Sequence, residues 1–441
     1  MSRFPTVIDL FSGCGGLALG FEKAGFPIGA GIELMPEAVK TISSNLEWRY
    51  GQESRHLCCD ITDTDPVVLR DSIGENGCIV IGGPPCQAYS RAGKAKLNSL
   101  GEDRKNTSDS RGYLYQDFLR FAFALDARAV VMENVPEATR FGDMNIPEIV
   151  CKELENHGYS AFWTILCSAD YGVPQIRERL FVLAWKNGEK AIGLPVPSHR
   201  DAGGHIPPYG RQITSFMQCP HFRKPLTADA DANDWVTVGD AFSDLPILFP
   251  TENSRYVSHP IETELPYRTK PANDFQRIMR EWYNFPLDAV TGNSFRKNVR
   301  DFPIFARMKQ GDIFTDASRI ADELFFMKAH SLGLSPESEE YARLKRTMVP
   351  CYDRDNFAEK WRRLDESRPS HTVVAHLSVD TYSHIHPWEP RGISIREAAR
   401  LQSFPDDFTF SCSMGDAFKQ IGNAVPPLLA KGVAEAVLRS F

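Results

Sequence analysis

Short runs of β-branched and aliphatic residues alternate with stretches of helical period through the first 185 residues of the chain. That alternation predicts an α/β domain with a largely parallel sheet. The first strand is expected at Thr6–Leu10, followed by a glycine turn and a helix over Gly16–Ala24. A second strand is expected at Pro27–Glu33, then a helix over Pro36–Asn45 with proline in its first turn. Cys78–Ile81 reads as a short buried strand ending at Gly82-Gly83-Pro84-Pro85. Leu114, Phe118, Leu119, Ala122 and Leu125 fall on one face of a helix, and a strand at Ala129–Glu133 and a helix at Ile146–His157 follow. Tyr159–Cys167 and Arg179–Trp185 then read as paired strands closing the sheet.

Beyond Trp185 the pattern changes. From Pro195 to about Arg368 the chain is rich in Pro, Asn, Asp and aromatic residues and shows no sustained period, which predicts a second domain with long loops. Regularity returns at Ile395–Ser403 and at Leu428–Arg439, an apolar helix. Neither internal repeats nor low-complexity tracts interrupt the 441 residues.

Composition narrows this picture little: 42% hydrophobic and 24% charged residues suit an ordinary globular protein. No apolar run reaches the roughly 18 residues that span a bilayer, and MSRFPTVIDLF lacks the apolar core of a signal peptide, so a cytoplasmic, nucleoid-associated location is expected. Ten scattered cysteines without C-x-x-C spacing predict reduced thiols. His384 and His386 form an H-x-H pair without accompanying thiols, and read as ends of a short strand, so no metal site is expected. The net charge of −7 hides three cationic stretches: Arg268–Lys309 is +5, while Arg343–Arg368 and Arg91–Arg111 are each +3. Such stretches either track a phosphate backbone or form solvated faces.

Candidate chemistry clusters at the expected strand ends. Asp9-Leu-Phe-Ser-Gly-Cys-Gly-Gly16 follows a strand and opens a helix, where glycines let the backbone approach a ligand. Glu33 stands twenty residues past Gly13, where Rossmann-like folds place an acid for ribose hydroxyls, and Asp60 is placed to accept from an adenine amine. Dinucleotide enzymes share these features, and so does a purely structural turn. Further on, a cysteine is most often a small buried hydrophobe, but two prolines before Cys86 fix the direction of its thiol, and Gln87 and Ser90 make its surroundings polar. Glu133 closes an apolar strand, a costly place for a carboxylate without a task, although a capping or loop carboxylate fits that position equally well. Arg177 and Arg179 alternate toward one face and suit an oxygen-rich ligand, although structural ion pairs use the same pattern.

Five segments occur in order: Phe11-Ser-Gly13-x-Gly15-Gly16, Pro84-Pro85-Cys86-Gln87, Glu133-Asn134-Val135, Gln175-x-Arg177-x-Arg179 and Gln420-x-Gly422-Asn423-Ala424-Val425-Pro426. Together they resemble the cytosine-5 DNA methyltransferase family, over residues 6 to about 185 and 368 to 437. The resemblance implies a Rossmann-like class I methyltransferase sheet with helices on both faces and a smaller, irregular target-recognition domain. It further implies catalytic and cofactor-binding residues 1–185, a recognition domain at 186–390, and a C-terminal segment, 391–441, that returns to complete the catalytic domain.

By that resemblance, Cys86 adds as a thiolate to carbon 6 of cytosine, Glu133 serves ring nitrogen 3, Arg179 meets the carbonyl at carbon 2, and Arg177 organises the nucleophile and its loop. S-adenosylmethionine is the implied cofactor. Phe11 is implied to contact its adenine, Glu33 its ribose and Asp60 its amine, with Ser12, Gly13, Gly15, Gly16, Leu34, Ile61, Pro85, Asn423 and Ala424 lining the same pocket. Leu34 departs from the aromatic residue that many relatives carry there, which weakens adenine stacking. Arg91–Arg111 matches the family's mobile loop, and Arg296, Lys297, Arg300, Arg307 and Lys309 are basic residues suited to phosphates. Double-stranded DNA is the expected partner of a monomeric, compact prokaryotic-type enzyme serving restriction–modification or phage defence. The same chemistry on RNA, a nicotinamide oxidoreductase and a silent DNA-binding relative are the competing readings.

Overall fold

The computed structural model describes residues 3–50, 55–85, 113–142, 144–203, 213–248, 258–283, 287–297, 300–350 and 360–441. Seven strands form one sheet in the order β3-β2-β1-β4-β5-β7-β6. They are β1 Thr6–Leu10, β2 Ile28–Glu33, β3 Arg55–Cys58, β4 Cys78–Gly82, β5 Ala129–Asn134, β6 Tyr159–Cys167 and β7 Glu178–Lys186. The first five pair in parallel, and β7 runs antiparallel between β5 and β6. Alternate side chains of one strand enter different cores, as the pleat requires. Ile8, Leu10, Val80, Val130 and Met132 pack with Phe118, Phe121 and Val150 of helices Leu114–Ala124 and Ile146–Asn156. Val7, Ile79, Ile81 and Val131 pack on the other face with Leu17 and Phe21 of helix Gly16–Lys23 and Leu429 and Val433 of helix Pro427–Leu438. Both faces are therefore covered, which is why these strands read as continuous apolar runs.

The C-terminal helix returns to the sheet through close helix–helix packing. A Cβ on Gly20 would lie 2.4 Å from Ala430 Cβ and 2.5 Å from the Lys431 amide nitrogen, and one on Gly432 would lie 2.4 Å from Tyr171 Cδ1. The first obstacle includes backbone and cannot swing aside. Gly20→Ala is therefore expected to lower stability by about 1–3 kcal/mol through overpacking, despite alanine's advantage of about 1 kcal/mol in helices. Urea unfolding checks the sign: a stabilised variant would mean that the helices separate freely.

The chain folds as two compact units, 1–235 with 423–441, and 236–422. These boundaries lie beyond the 185/186 and 390/391 divisions expected from sequence, and side chains explain both shifts. Residues past 185 stay with the sheet because Phe216 and Phe222 pack on Trp163 with ring centroids 5.4 and 4.6 Å away. His221 adds a latch, its Nδ1 2.7 Å from Glu148 and its Nε2 3.1 Å from Glu155. At the other boundary, helix Ile395–Leu401 belongs to the second unit because its arginines are wound into that unit's interior. Arg400, fully buried, bonds Asp244 and Asp406, and Arg396 donates to the carbonyls of Thr291, Pro405 and Phe408.

The second unit is more regular than its sequence suggested. Helix Phe314–Ser331 runs for 18 residues within the stretch expected to lack period. Its buried face is Phe314, Ala317, Ser318, Ile320, Ala321, Phe325 and Ala329, so small residues carry a helical spacing that a search for large apolar ones passes over. The His384 and His386 pair flanks Ile385, which forms bridges with Arg363 and Gly392 rather than a strand. His386 Nδ1 accepts from the Trp388 and Glu389 amides, and Arg391 binds both Glu389 and Glu397. Three potential ligands thus converge, but one guanidinium already pairs with both carboxylates, and the imidazole turns an N–H toward them.

Candidate active site

The glycine turn after β1 is built on left-handed backbone. Phe11, Gly13 and Gly15 have φ of 57°, 53° and 90°. A Cβ on Gly13 would meet nothing within 4 Å, whereas one on Gly15 would strike Ile42 at 2.7 Å. Gly13 thus leaves open space over the turn, and Gly15 lets the turn close onto helix Pro36–Tyr50. Gly16 opens the first helix and Ser12 is buried behind it. Glu33, at the end of β2, accepts from the Gly13 amide through Oε2 and the Met35 amide through Oε1, both at 2.9 Å. Each oxygen keeps a second lone pair, so the carboxylate is oriented without being saturated. Leu34 beside it is 63% exposed.

Two residues past β3, Asp60 caps the short 3-10 turn Ile61–Asp63. Its Oδ1 accepts from the amide and hydroxyl of Thr62 at 3.0 and 2.8 Å. Oδ2 has no partner among the described residues, and the residue is exposed. Ile61 is buried in the core, which fixes the turn to the sheet.

The reactive end forms where β5 meets β7. Asn134 stands opposite Leu180 and Glu133 opposite Phe181, so Arg179 at the start of β7 reaches Glu133. Arg179 Nε lies 2.9 Å from Glu133 Oε1, with each side chain 13% exposed. Burial pushes the Glu133 carboxyl above its usual range, and the charges of Arg179 and Arg177 oppose that shift without cancelling it. Arg177 lies just before β7, is almost fully buried, and donates through Nη2 to the Ala424 carbonyl at 3.1 Å. That bond ties Arg177 to Ala424, 247 residues further along the chain and next to the exposed Asn423.

The turn after β4 runs beside the same carboxylate. Asn134 Nδ2 donates to the Pro84 carbonyl at 3.3 Å, and Pro85 is half-buried. Cys86 and the expected loop, Arg91–Arg111, lie outside the described residues. A Cβ on Gly83 would lie 2.8 Å from Glu133 Oε2. Only a flexible side chain would have to yield, so Gly83→Ala is expected to leave stability almost unchanged and to displace the carboxylate. Were Glu133 to act on a bound substrate, misplacing it by up to an ångström would cost roughly 10- to 100-fold in single-turnover rate. An unaltered rate would show that Glu133 need not sit against this turn.

Sequence reasoning passes over two residues that the structure brings forward. Asp9, 1% exposed within β1, has its carboxyl pushed well up by burial and by the charge of Glu33. The signal was an acid flanked by Ile8 and Leu10 in an apolar run. Arg120, on helix Leu114–Ala124, reaches the turn that carries Asp60. In the second unit, Arg296 donates to the Ser378 carbonyl, Arg300 pairs with Asp301 at 2.6 Å, and Arg307 lies 3.9 Å from Met327 Sδ. Lys297 and Lys309 remain exposed cations. Among the described residues, no helix is long and apolar enough to cross a membrane.

Comparison with known proteins agrees with this geometry. The family described as C-5 cytosine-specific DNA methylase matches residues 5–439. A protein of Oceanobacillus iheyensis, named as an inferred type II methyltransferase, M.OihORF3336P, is 51% identical over all of this chain and 96% of its own. The type II methyltransferase M.AgeI of Thalassovita gelatinovora is 30% identical, with 98% of each chain covered. The crystal structure of an inferred DNA modification methyltransferase encoded in an E. coli prophage superposes with a TM-score of 0.64 at 22% identity, covering 99% of both chains. That structure supports the fold, a mixed seven-stranded sheet with helices on both faces. The chain belongs to the C-5 cytosine-specific DNA methylase family.

Proposed function

We propose that this enzyme methylates carbon 5 of a cytosine swung out of a specific duplex DNA sequence, with Cys86 as covalent nucleophile and S-adenosylmethionine as donor. The observation that carries the reading is the Glu133–Arg179 pair, packed against the Gly83-Pro84-Pro85 turn that leads into Cys86. A stacked, paired base hides its carbon 6, so extrusion at a cost of a few kcal/mol precedes chemistry. The Cys86 thiolate then adds to carbon 6. Glu133, its carboxyl held up by burial, donates a proton or hydrogen bond to ring nitrogen 3, so that the ring's electrons are driven toward carbon 5. Arg179 orients that carboxyl and offers its remaining N–H groups to the carbonyl at carbon 2. After methylation, a base takes the proton from carbon 5 and the ring expels the Cys86 thiolate.

The residues around the glycine turn fit the donor. Open space over Gly13, the unsaturated Glu33 carboxylate and the unpartnered Asp60 Oδ2 suit a backbone approach, a ribose and an exocyclic amine in turn. Phe11, Ser12, Gly15, Gly16, Leu34, Ile61, Pro85, Asn423 and Ala424 complete the proposed pocket. When bound there, S-adenosylmethionine supplies an electrophilic methyl group on a sulfonium centre. The second unit is assigned target recognition, with exposed Lys297 and Lys309 available to phosphates, and the chain the modification arm of a type II system.

Duplex DNA carrying 5-fluorocytosine tests the covalent step, because fluorine blocks removal of the carbon 5 substituent. The wild-type chain is expected to form a denaturation-resistant adduct in the presence of donor, while Cys86→Ala binds DNA and forms none. Near wild-type turnover by Cys86→Ala would overturn the assignment, and labelling of tRNA in place of DNA would overturn the substrate.

A further inference from the structure

Asp60 and Ile61 are presented by a single short turn, and one side chain from a distant helix determines how that turn is held. The Ile61 carbonyl, which accepts the Thr64 amide at 3.4 Å to close the 3-10 turn Ile61–Asp63, and the Thr64 carbonyl just past the turn both offer lone pairs to a further donor. Arg120 of helix Leu114–Ala124 reaches both: Nη2 donates to the Ile61 carbonyl at 2.6 Å and Nη1 to the Thr64 carbonyl at 3.0 Å. Asp117, one helical turn earlier, accepts from Nη2 at 3.1 Å and from Nε at 3.3 Å, which aims the guanidinium. Within the turn, Thr64 Oγ1 donates to the Asp60 carbonyl at 2.6 Å, so the Thr64 end that Arg120 grips is bonded directly to Asp60. Asp60 itself is exposed, and among the described residues its carboxylate is oriented by Thr62 through Oδ1. The position of its free Oδ2 therefore follows the position of the turn.

We propose that Arg120 is a positioning residue for recognition of the donor's purine: it holds the Asp60–Thr64 turn in the register that brings Asp60 Oδ2 to an exocyclic amine. The inference rests on the proposed assignment of Asp60 to the adenine of S-adenosylmethionine. Arg120 touches no reacting atom, so its loss alters donor recognition rather than the chemical step. A bare loosening of the fold would weaken all donor-pocket ligands alike. Loss of register weakens most the ligands that carry the amine.

The test compares S-adenosylhomocysteine with its analogue in which the 6-amino group is replaced by hydrogen, titrated calorimetrically into full-length wild type, Arg120→Met, Arg120→Lys and Asp60→Ala. Wild type is expected to prefer the amino ligand by about tenfold, the value of one well-made hydrogen bond. Arg120→Met is expected to lose most of that preference while kcat at saturating donor stays within about twofold. Arg120→Lys, which keeps a charge but cannot span two carbonyls, is expected to fall between, and it serves alone if the methionine variant fails to fold. An unchanged preference in the Arg120 variants, or an equal weakening of both ligands, overturns the role of Arg120. If Asp60→Ala instead keeps the wild-type preference, or wild type has none, the adenine assignment fails and the proposal with it.

Discussion

The Glu133→Gln substitution is expected to slow methyl transfer by roughly 10²- to 10⁴-fold, the range of general acid–base catalysis, with little change in the Kd of S-adenosylhomocysteine. Glutamine preserves the shape of the side chain and can still accept from Arg179, so the ion pair at 2.9 Å becomes a neutral contact without a cavity. What disappears is the titrating proton. The direction of the Glu133 shift gives the pH dependence of the same step. Burial raises its pKa, and the charges of Arg179 and Arg177 pull it partway back. In the proposed mechanism the donor form is the protonated one, so the addition step is expected to lose this contribution as pH rises through the raised pKa. Removing one opposing cation, as in Arg179→Gln, moves that pKa further up. The descending limb of the single-turnover rate is then expected at higher pH than in wild type, even though the maximal rate falls. A limb displaced to lower pH, or full activity in Glu133→Gln, would show that the carboxyl is not the group that serves nitrogen 3.

The Arg400→Met substitution is expected to have the largest effect on stability, about 3–5 kcal/mol, because it strands buried charge. Arg400 is fully buried, and its guanidinium bonds Asp406 at 2.8 and 2.6 Å and Asp244 at 2.7 and 3.2 Å. Methionine fills most of the volume but leaves two carboxylates in the interior. Asp406 retains Tyr267 Oη at 2.6 Å and a distant Arg396, and Asp244 retains Arg280 at 3.5 Å. The sign of the pH response separates this account from simple loss of packing. In wild type, burial raises the Asp406 pKa, but Arg400, with smaller help from Arg396 and Tyr267, more than offsets it, so the carboxyl is held below its usual range. Its contribution is present above the unfolded pKa and fades as pH falls through the folded one. Without Arg400, burial prevails, the folded pKa lies above the unfolded one, and the variant gains stability on acidification as that carboxyl takes up a proton. Urea unfolding at pH 5 and pH 8 is therefore expected to show a smaller deficit at pH 5; an equal deficit at both would point to packing alone.

The two effects separate the functions of the buried arginines. Arg179 lowers the Glu133 pKa without cancelling the effect of burial, so that carboxyl stays above its usual range. Arg400 and Arg391 hold the Asp406 and Glu397 carboxyls below their usual range in the interior of the second unit, with Glu397 pulled down to about 2 against the penalty of its own burial. Arg391 thus makes the convergence of His386, Glu389 and Glu397 an ion-pair cluster, with the His386 imidazole kept neutral by burial, its pKa pushed down to about 4.

Much of the first unit was legible along the chain because local physics decides it. Strands covered on both faces must be apolar throughout, and the sheet's parallel part was readable from Val7, Ile79, Ile81 and Val131 without coordinates. The left-handed backbone after β1 needs glycine at positions 13 and 15, and an acid closing an apolar strand, as Glu33 and Glu133 do, has to have a partner. These requirements act within a few residues, so spacing alone exposes them. The sequence also names Cys86, whose chemistry follows from its motif rather than from described geometry.

What only the tertiary structure decided are pairings across long stretches of chain. The antiparallel insertion of β7 beside β5 brings Arg179 to Glu133, and a hydrogen bond across 247 residues joins Arg177 to Ala424. The boundaries of the two units depend on His221 meeting Glu148 and Glu155, and on arginines of helix Ile395–Leu401 turning inward, neither of which leaves a periodic trace. Helix Phe314–Ser331 was hidden because alanine and serine, not large apolar residues, form much of its buried face. Propensity and pattern describe what a segment can become; which distant charge it meets depends on how the whole chain closes, because a buried ion pair has no signature until both partners have left water.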